Sequence, residues 1–436
     1  MVSASSGPAS FQTGFPIRPD RLVEARTPDD VREAVAYAAG HGLRLTAHAT
    51  GHGLPGAVEG GVLVVTSGLD SVTVDPVART ATIGAGATWG AVAAAAVPHG
   101  LAPLNGSSPS VGAVSYTLGG GLGILARQFG YAADQVRALE VVTADGALRR
   151  VTPERGPELF WGLRGGGHRL GVVTSLEVGL VAVERLYGGA IAFDGERAAE
   201  VMARYLEWTR TVPESLTSSL SALPYPDLPQ VPEEVRGRYV VSVRVAFTGD
   251  AAEGERLVAP LRAIGPALED SLREMPYTES PTIHNDPPFP HAYYGEGLML
   301  RELDAARAAR VLELTGPGAP MMNVVQLNHV GGALAVRPGP GPGPGPGPAS
   351  AVPYRDAGFL LRLLSPLDGT DVASVRALYG EVSGVLGPRV LGRSLNFCFG
   401  GGDRTAGFHE PETAKRLAGL VSQYDPAGLF GGPYEG

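Results

Sequence analysis

Gly106-Ser-Ser-Pro-Ser-Val-Gly112, with Tyr116-Thr-Leu-Gly-Gly-Gly-Leu-Gly123 close behind it, is the stretch that decides the fold. It has too many glycines for a helix or a packed strand, since each costs backbone entropy and brings no side chain. Such a loop does let backbone approach a ligand closely. The same character recurs in Thr50-Gly-His-Gly53, within a turn running to Gly56, and in Leu163-Arg-Gly-Gly-Gly-His-Arg-Leu-Gly-Val-Val-Thr174. Three glycine loops, at 50–56, 106–123 and 163–171, predict backbone amides wrapped around one large anionic ligand. A dinucleotide domain of the Gly-x-Gly-x-x-Gly type is disfavoured, because Gly84-Ala-Gly86 meets Trp89, and Gly119-Gly-Gly121 meets Ile124, where the third glycine belongs.

Around these loops the chain reads as alternating helices and strands. Thr27-Pro-Asp-Asp30 supplies an N-cap, a proline at the first helical position and acids in the first turn, predicting a helix over 28–39. Strands are expected at 43–47, 62–66 and 80–84, an alanine-rich helix at 89–97, and a hairpin around Ala144-Asp-Gly146. Residues 186–388 contain helices (195–209, 302–314) and strands (238–247, 322–329, 358–364) without glycine fingerprints, as in an α+β domain. A strand ending near Val336 leads into a strict Pro-Gly alternation at 338–348, expected to be an exposed polyproline-like loop. Residues 1–14 read as a loose tail, and 389–436 return to glycine-rich loop and helix.

The chain has 436 residues with a net charge of −9, which argues against nucleic acid or an anionic membrane as partner. One cysteine, Cys398, forbids an internal disulfide or a cysteine metal cluster, and it reads as a small buried hydrophobe. Lys415 is the only lysine, which removes P-loop nucleotide hydrolases and lysine Schiff-base enzymes. No basic, apolar leader opens the chain, so a cytoplasmic protein is expected. His48 and His52 have the spacing of helical metal ligands, but Gly51 and Gly53 make a helix unfavourable there, so no metal site is expected.

The order of Thr50-Gly-His-Gly53, Gly84-Ala-Gly-Ala-Thr-Trp89, Gly106-Ser-Ser-Pro-Ser-Val-Gly112, Tyr116 to Gly123, Ala132-Ala-Asp134, Leu159 to Gly167, Gly171-Val-Val-Thr174, Asn396-Phe397 and Tyr424-Asp-Pro-Ala-Gly-Leu-Phe430 resembles the FAD-linked oxidases of the vanillyl-alcohol oxidase superfamily, in the berberine-bridge-enzyme-like branch. The resemblance is close over 15–183, good over 395–430 and looser between. It implies an α+β protein with a two-lobed FAD-binding domain, formed by residues 1–185 and the segment 389–436, and a substrate domain at 186–388 covering the flavin. In the family the histidine of the Gly-His turn is bonded to the flavin, and that position is His52. Members with two tethers carry a cysteine where this chain has Ser108, so a single histidyl link to FAD is implied.

The resemblance further assigns Thr50, Gly51, Gly53 and Leu54 to the pyrophosphate loop. Ser107, Ser108, Val111, Gly112, Thr117, Gly120 and Gly123 fall to the flavin and ribityl chain, Val173 to the adenine side, and Asn396 to the flavin. Two positions depart from the family's pattern. The tyrosine that often follows the asparagine is Phe397, and a glutamate often found on the strand before Gly-Gly-Ala is Gln326. Neither replacement can take a proton. Alternation along the strand puts Gln326 and Asn328 on one face and His329 on the other, packed in a core. Tyr225, Tyr293, Tyr294, His284 and His291 stay open as substrate or base candidates.

The resemblance implies an oxidase that takes a hydride from an alcohol, phenol or hydroquinone-type metabolite and reduces oxygen to hydrogen peroxide, in bacterial secondary metabolism. It would act as a monomer or homodimer. Two other readings are a resistance-type oxidase that re-oxidises a reduced, activated metabolite, and a flavin-loaded binding protein without turnover.

Overall fold

The computed structural model describes residues 8–229, 231–336, 349–400 and 406–431. The Pro-Gly tract at 338–348 and the first seven residues lie outside the described residues. The fold is α+β and two-lobed, with three sheets of functional consequence.

The first is a three-stranded parallel sheet ordered Arg21–Glu24, Val62–Val65, Leu45–His48. The helix Pro28–His41 covers it. Its start is fixed by a reciprocal cap, in which Thr27 Oγ1 accepts from Asp30 N (3.2 Å) and the Asp30 carboxylate accepts from Thr27 N (2.8 Å). Gly42, at φ 63°, ends it in the left-handed conformation. Val31, Ala34, Val35 and Ala38 recur at helical spacing and are all buried against the sheet. The strand Leu45–His48 then delivers the chain straight into the Thr50–Gly53 turn.

A five-stranded antiparallel sheet follows, ordered Val72–Asp75, Thr80–Gly84, Val172–Gly179, Val136–Val142, Leu148–Val151. Its core includes Trp89, Phe160 and Leu163, joined from the far end of the sequence by Leu417 and Leu420 of the helix Pro411–Tyr424. Leu429 and Phe430 pack in the core beneath the first helix, and Leu429 O accepts from Leu45 N (2.8 Å). The Asp425 carboxylate accepts from the Leu429 and Phe430 amides at 2.7 and 2.8 Å, which turns the chain back toward the first sheet. The C-terminal segment therefore completes the lobe that the N-terminal half begins.

The second lobe is one nine-stranded antiparallel sheet whose central strands are Tyr239–Phe247, Leu216–Pro224, Val324–His329, Phe359–Pro366 and Tyr293–Leu300, in that order. Four helices, Ala198–Trp208, Ala251–Arg262, Ala305–Thr315 and Val372–Leu386, pack on one face through a continuous apolar core. Alternation does the rest. On successive strands Leu220, Val243, Val325, Leu327, Leu361 and Leu363 enter that core, so their neighbours in sequence point the other way, toward the first lobe.

Three expectations need correction. The glycine-rich stretch 106–123 contains a helix, Ala113–Leu118, because the residues between its two glycine clusters include no glycine and four of the six are good apolar packers. The chain before the Pro-Gly tract is a 3-10 turn at Gly332–Ala335, where a strand reaching Val336 was expected, since Gly331 and Gly332 adopt positive φ and break the extended run. Residues 8–14 are not loose: Phe11 N and Gln12 N donate to Thr50 O and Gly51 O at 3.0 and 3.2 Å, and Gln12 is fully buried.

Candidate functional site

A cavity of about 1450 Å³ separates the two lobes and is walled by all three glycine loops on one side and the open face of the large sheet on the other. That exceeds the roughly 300–1,000 Å³ of an ordinary small-molecule pocket. It has room for a dinucleotide and a substrate together.

His52 stands on the first-lobe wall. Its Nδ1 is 2.9 Å from Thr50 Oγ1 and its Nε2 is 3.0 Å from Ser110 Oγ, while Ser108 Oγ lies 3.0 Å from Ser110 Oγ. Hydroxyls can donate or accept, so either neutral tautomer is held in place. Burial pushes the imidazole pKa down to about 4, with Asp286 opposing and His291 assisting, so the ring is neutral near pH 7. Phe11 stacks on it with centroids 3.8 Å apart, and Tyr293 Oη donates to His52 O at 2.7 Å. Ser108, where a second tether would stand, is thus wired by hydrogen bonds to the histidine through Ser110.

Thr50, Gly51, Gly53, Leu54, Ser107, Ser108, Val111, Gly123, Val173 and Asn396 all line the cavity. The positive φ of Gly51, 76°, is one that a residue with a side chain adopts only with strain, and a Cβ there would also strike Ser10. Gly112, Thr117 and Gly120 are not among the residues that line the cavity. Gly112 precedes the short helix, Thr117 Oγ1 donates within it to Ala113 O (2.7 Å), and Gly120 lies against Val352 and Tyr131. Asn396 faces the cavity but both ends of its amide are occupied, accepting from Gly121 N (3.0 Å) and donating to Tyr116 O (2.9 Å). It ties the C-terminal segment to the glycine loop.

On the opposite wall Gln326, Asn328, Tyr225 and Phe397 line the cavity, as do His284, His291 and Tyr293. Tyr294 does not: it alternates to the other face, is buried in the helix-covered core and packs on Tyr379, which removes it from the candidates. His329 also points away and is hydrogen-bonded to Arg127.

Sequence reasoning missed the charged part of this wall. Arg244 and Arg362 project from the middle of apolar strands into the cavity, with Ser219 and Ser221 between them and Asp286 above. A lone arginine inside Val-Ser-Val-Arg-Val-Ala-Phe or Phe-Leu-Leu-Arg-Leu-Leu was the available signal. Asp286 accepts from Ser107 Oγ at 2.5 Å, across the two lobes. Burial works against its charge, but His284, the Ser107 hydroxyl, Arg362 and Arg244 outweigh it and hold the carboxyl below its ordinary range. Burial, and then Arg244, push His284 down, so it is the neutral member of the pair.

The residues fit FAD. Gly53 faces open space where a cofactor would run, Gly167 and Gly171 adopt φ 78° and 146° on the cavity wall, and buried Tyr116 Oη and Ser219 Oγ lack protein partners among the described residues. Among the described residues no group of three His, Cys, Asp or Glu could hold a metal ion, and no helix is long and apolar enough to cross a membrane.

Comparison with known proteins gives the same answer. Residues 19–152 match the FAD binding domain family. The chain is 31% identical to (R)-6-hydroxynicotine oxidase of Paenarthrobacter nicotinovorans over 273 residues, 60% of this chain and 56% of that protein's length. It is 26% identical to the FAD-linked oxidoreductase fogF of Aspergillus ruber over 427 residues, 92% of this chain and 83% of that protein. Among solved structures, glucooligosaccharide oxidase of Acremonium strictum, with a 6-S-cysteinyl, 8α-N1-histidyl FAD, superimposes with a TM-score of 0.82 at 19% identity, covering 98% of this chain and 93% of that one. The resemblance read from the ordered glycine motifs therefore holds: residues 19–152 match the FAD binding domain, and the chain is similar in sequence to FAD-linked oxidoreductases and in fold to FAD oxidases.

Proposed function

We propose that the protein is an oxidase with FAD tethered once, through His52, acting on an alcohol, phenol or hydroquinone-type small metabolite, as in bacterial secondary metabolism, with oxygen as acceptor. The observation that carries this reading is a neutral His52 in the wall of a cavity large enough for dinucleotide and substrate. The histidyl linkage named for the glucooligosaccharide oxidase supports it by analogy of fold. FAD, when bound, supplies hydride acceptance and the return of electrons to oxygen.

The chain's own residues set the substrate's position and the fate of its proton. Gln326 and Phe397 cannot accept a proton, and Asp286 and His284 are both weak bases at neutral pH because their pKa values are held down. This favours a substrate whose hydroxyl is acidic or which is already easily oxidised.

The test is covalent flavin content. Acid-precipitated protein should stay yellow, and His52→Ala should release FAD to the supernatant. Anaerobic addition of substrate should bleach the flavin, whereas a binding protein without turnover would show a spectral shift only. Free FAD in the wild-type supernatant overturns the tether.

A further inference from the structure

Arg244 and Arg362 rise from strands that are not neighbours; Leu216–Pro224 and Val324–His329 lie between them. At about 4.8 Å per strand their backbones are some 14 Å apart. The side chains nevertheless lean toward each other. Arg244 Nη1 donates to Ser221 Oγ, and Arg362 Nη1 donates to Gln326 Oε1 at 3.3 Å. Ser221 and Gln326 are cross-strand partners in register, so two guanidiniums converge from opposite sides on one pair of neutral side chains.

Neither guanidinium forms an ion pair among the described residues. Arg244 has the Ser221 hydroxyl, and Arg362 has the Gln326 amide and the face of Phe397, 4.1 Å from the ring centroid. Burial lowers the pKa of both, and the charge of Arg244 adds to the lowering at Arg362. Asp286 is the one carboxylate whose charge acts on both, so two cations face one anion. Partly desolvated charge left in excess is unfavourable unless a counter-charge arrives. The rest of the row, Ser219, Ser221, Gln326 and Asn328, offers neutral hydrogen-bonding groups that would not repel an anion.

We propose that the substrate carries a carboxylate, seated over the Ser221–Gln326 pair between the guanidiniums of Arg244 and Arg362, with its oxidisable carbon toward the first-lobe wall. The inference deepens the oxidase reading and rests on it for the direction in which the substrate faces. Arginine's planar fork suits bidentate capture of a carboxylate, and two such forks fix its orientation as well as its presence.

The experiment titrates oxidised holoenzyme with benzoate and propionate, against benzamide and propionamide at equal ionic strength, following the flavin absorbance. At least one carboxylate should bind about tenfold or more tightly than its amide, a difference of about 1.4 kcal/mol. Arg244→Gln and Arg362→Gln should each abolish most of that preference at unchanged flavin content, and Arg362→Lys, which keeps the charge and guards against misfolding, should retain part of it. Amides binding as well as carboxylates, no response to either carboxylate, or a preference that survives both glutamine substitutions overturns the proposal. A holoenzyme loaded with FAD that ignores carboxylates defeats this inference alone; protein that holds no FAD defeats the oxidase reading instead.

Discussion

Phe11 lies flat on the imidazole of His52, with ring centroids 3.8 Å apart and planes 12° from parallel. The contact joins the start of the chain to the proposed point of flavin attachment. Because Phe11 N and Gln12 N also bond to the Thr50 turn, the segment fixes both the position of that turn and the plane of the ring.

Phe11→Ala is therefore expected to slow flavin attachment without unfolding the protein. A stacked aromatic pair contributes about 0.5–1.5 kcal/mol beyond its area, equivalent to a two- to tenfold loss in the population of the attachment-ready ring. The yield of acid-stable flavin against time after adding FAD to apoprotein measures this; an unchanged rate would mean that the ring needs no support from Phe11.

Ser110→Ala tests the other edge of the same ring. The hydroxyl bonds Nε2 at 3.0 Å and leads on to Ser108, so its loss should free the imidazole to reorient and lower covalent incorporation several-fold. Ser108→Ala, one bond further out, should have a smaller effect, since Ser110 would keep its contact with His52. Equal effects would show that the serine pair acts as one unit.

How far the sequence spoke for this site depends on the kind of signal. The glycine loops were legible because a missing side chain at fixed order is itself the requirement, and the parity of Gln326 and Asn328 followed from strand alternation alone. Tyr293 and Tyr294 could not be separated, because neighbours in one strand face opposite ways and the sequence does not say which face is covered by helices. Asp286 sits in Asn285-Asp-Pro-Pro-Phe-Pro290, a loop with no period, and its role depends on Ser107, 179 residues away. The convergence of Arg244 and Arg362 depends on strand order, which crosses over repeatedly in the large sheet.

The buried ion pair between Arg355 and Asp134 holds the chain that leaves the Pro-Gly tract against the FAD-binding lobe. Arg355 Nη2 is 2.6 Å from Asp134 Oδ1, both side chains are about 97% buried or more, and Ser350 adds bonds to each. Asp134→Asn would leave a buried guanidinium without its counter-charge, at a cost of about 3–5 kcal/mol. For a chain of this length thermal denaturation should show a fall of about 3–5 °C; a shift of less than about 1 °C would mean that the backbone carbonyls of Leu334 and Val336 suffice for Arg355.

Acid stability should carry a contribution from His329. Burial first, and the neighbouring Arg127 second, push its pKa down to about 3, against an ordinary value near 6.5. The folded state thus binds fewer protons than the unfolded chain between those values, so this contribution is complete above pH 6.5 and is lost as pH falls toward 3. At pH 4.5 the loss is on the order of 2–3 kcal/mol. His329→Gln should flatten the decline in urea-unfolding free energy between pH 7 and 4.5; an identical slope would place the acid sensitivity in other buried histidines such as His48 and His409.

Gln326→Glu bears on the chemistry and on the carboxylate site together. The new carboxylate would stand about where Oε1 now accepts from Arg362, and the guanidinium would keep it ionised at neutral pH. It would then occupy the positive charge that the proposed substrate needs and repel a second anion. Benzoate affinity should fall about tenfold or more while benzamide affinity and covalent flavin content stay the same, a loss of about 1.4 kcal/mol or more. A neutral substrate would meet a new proton acceptor instead, and its oxidation rate should rise with pH through the titration of that residue. If benzoate binding, rate and pH profile all match the wild type, Gln326 lies away from the reacting centre, and the two arginines meet their counter-charge elsewhere.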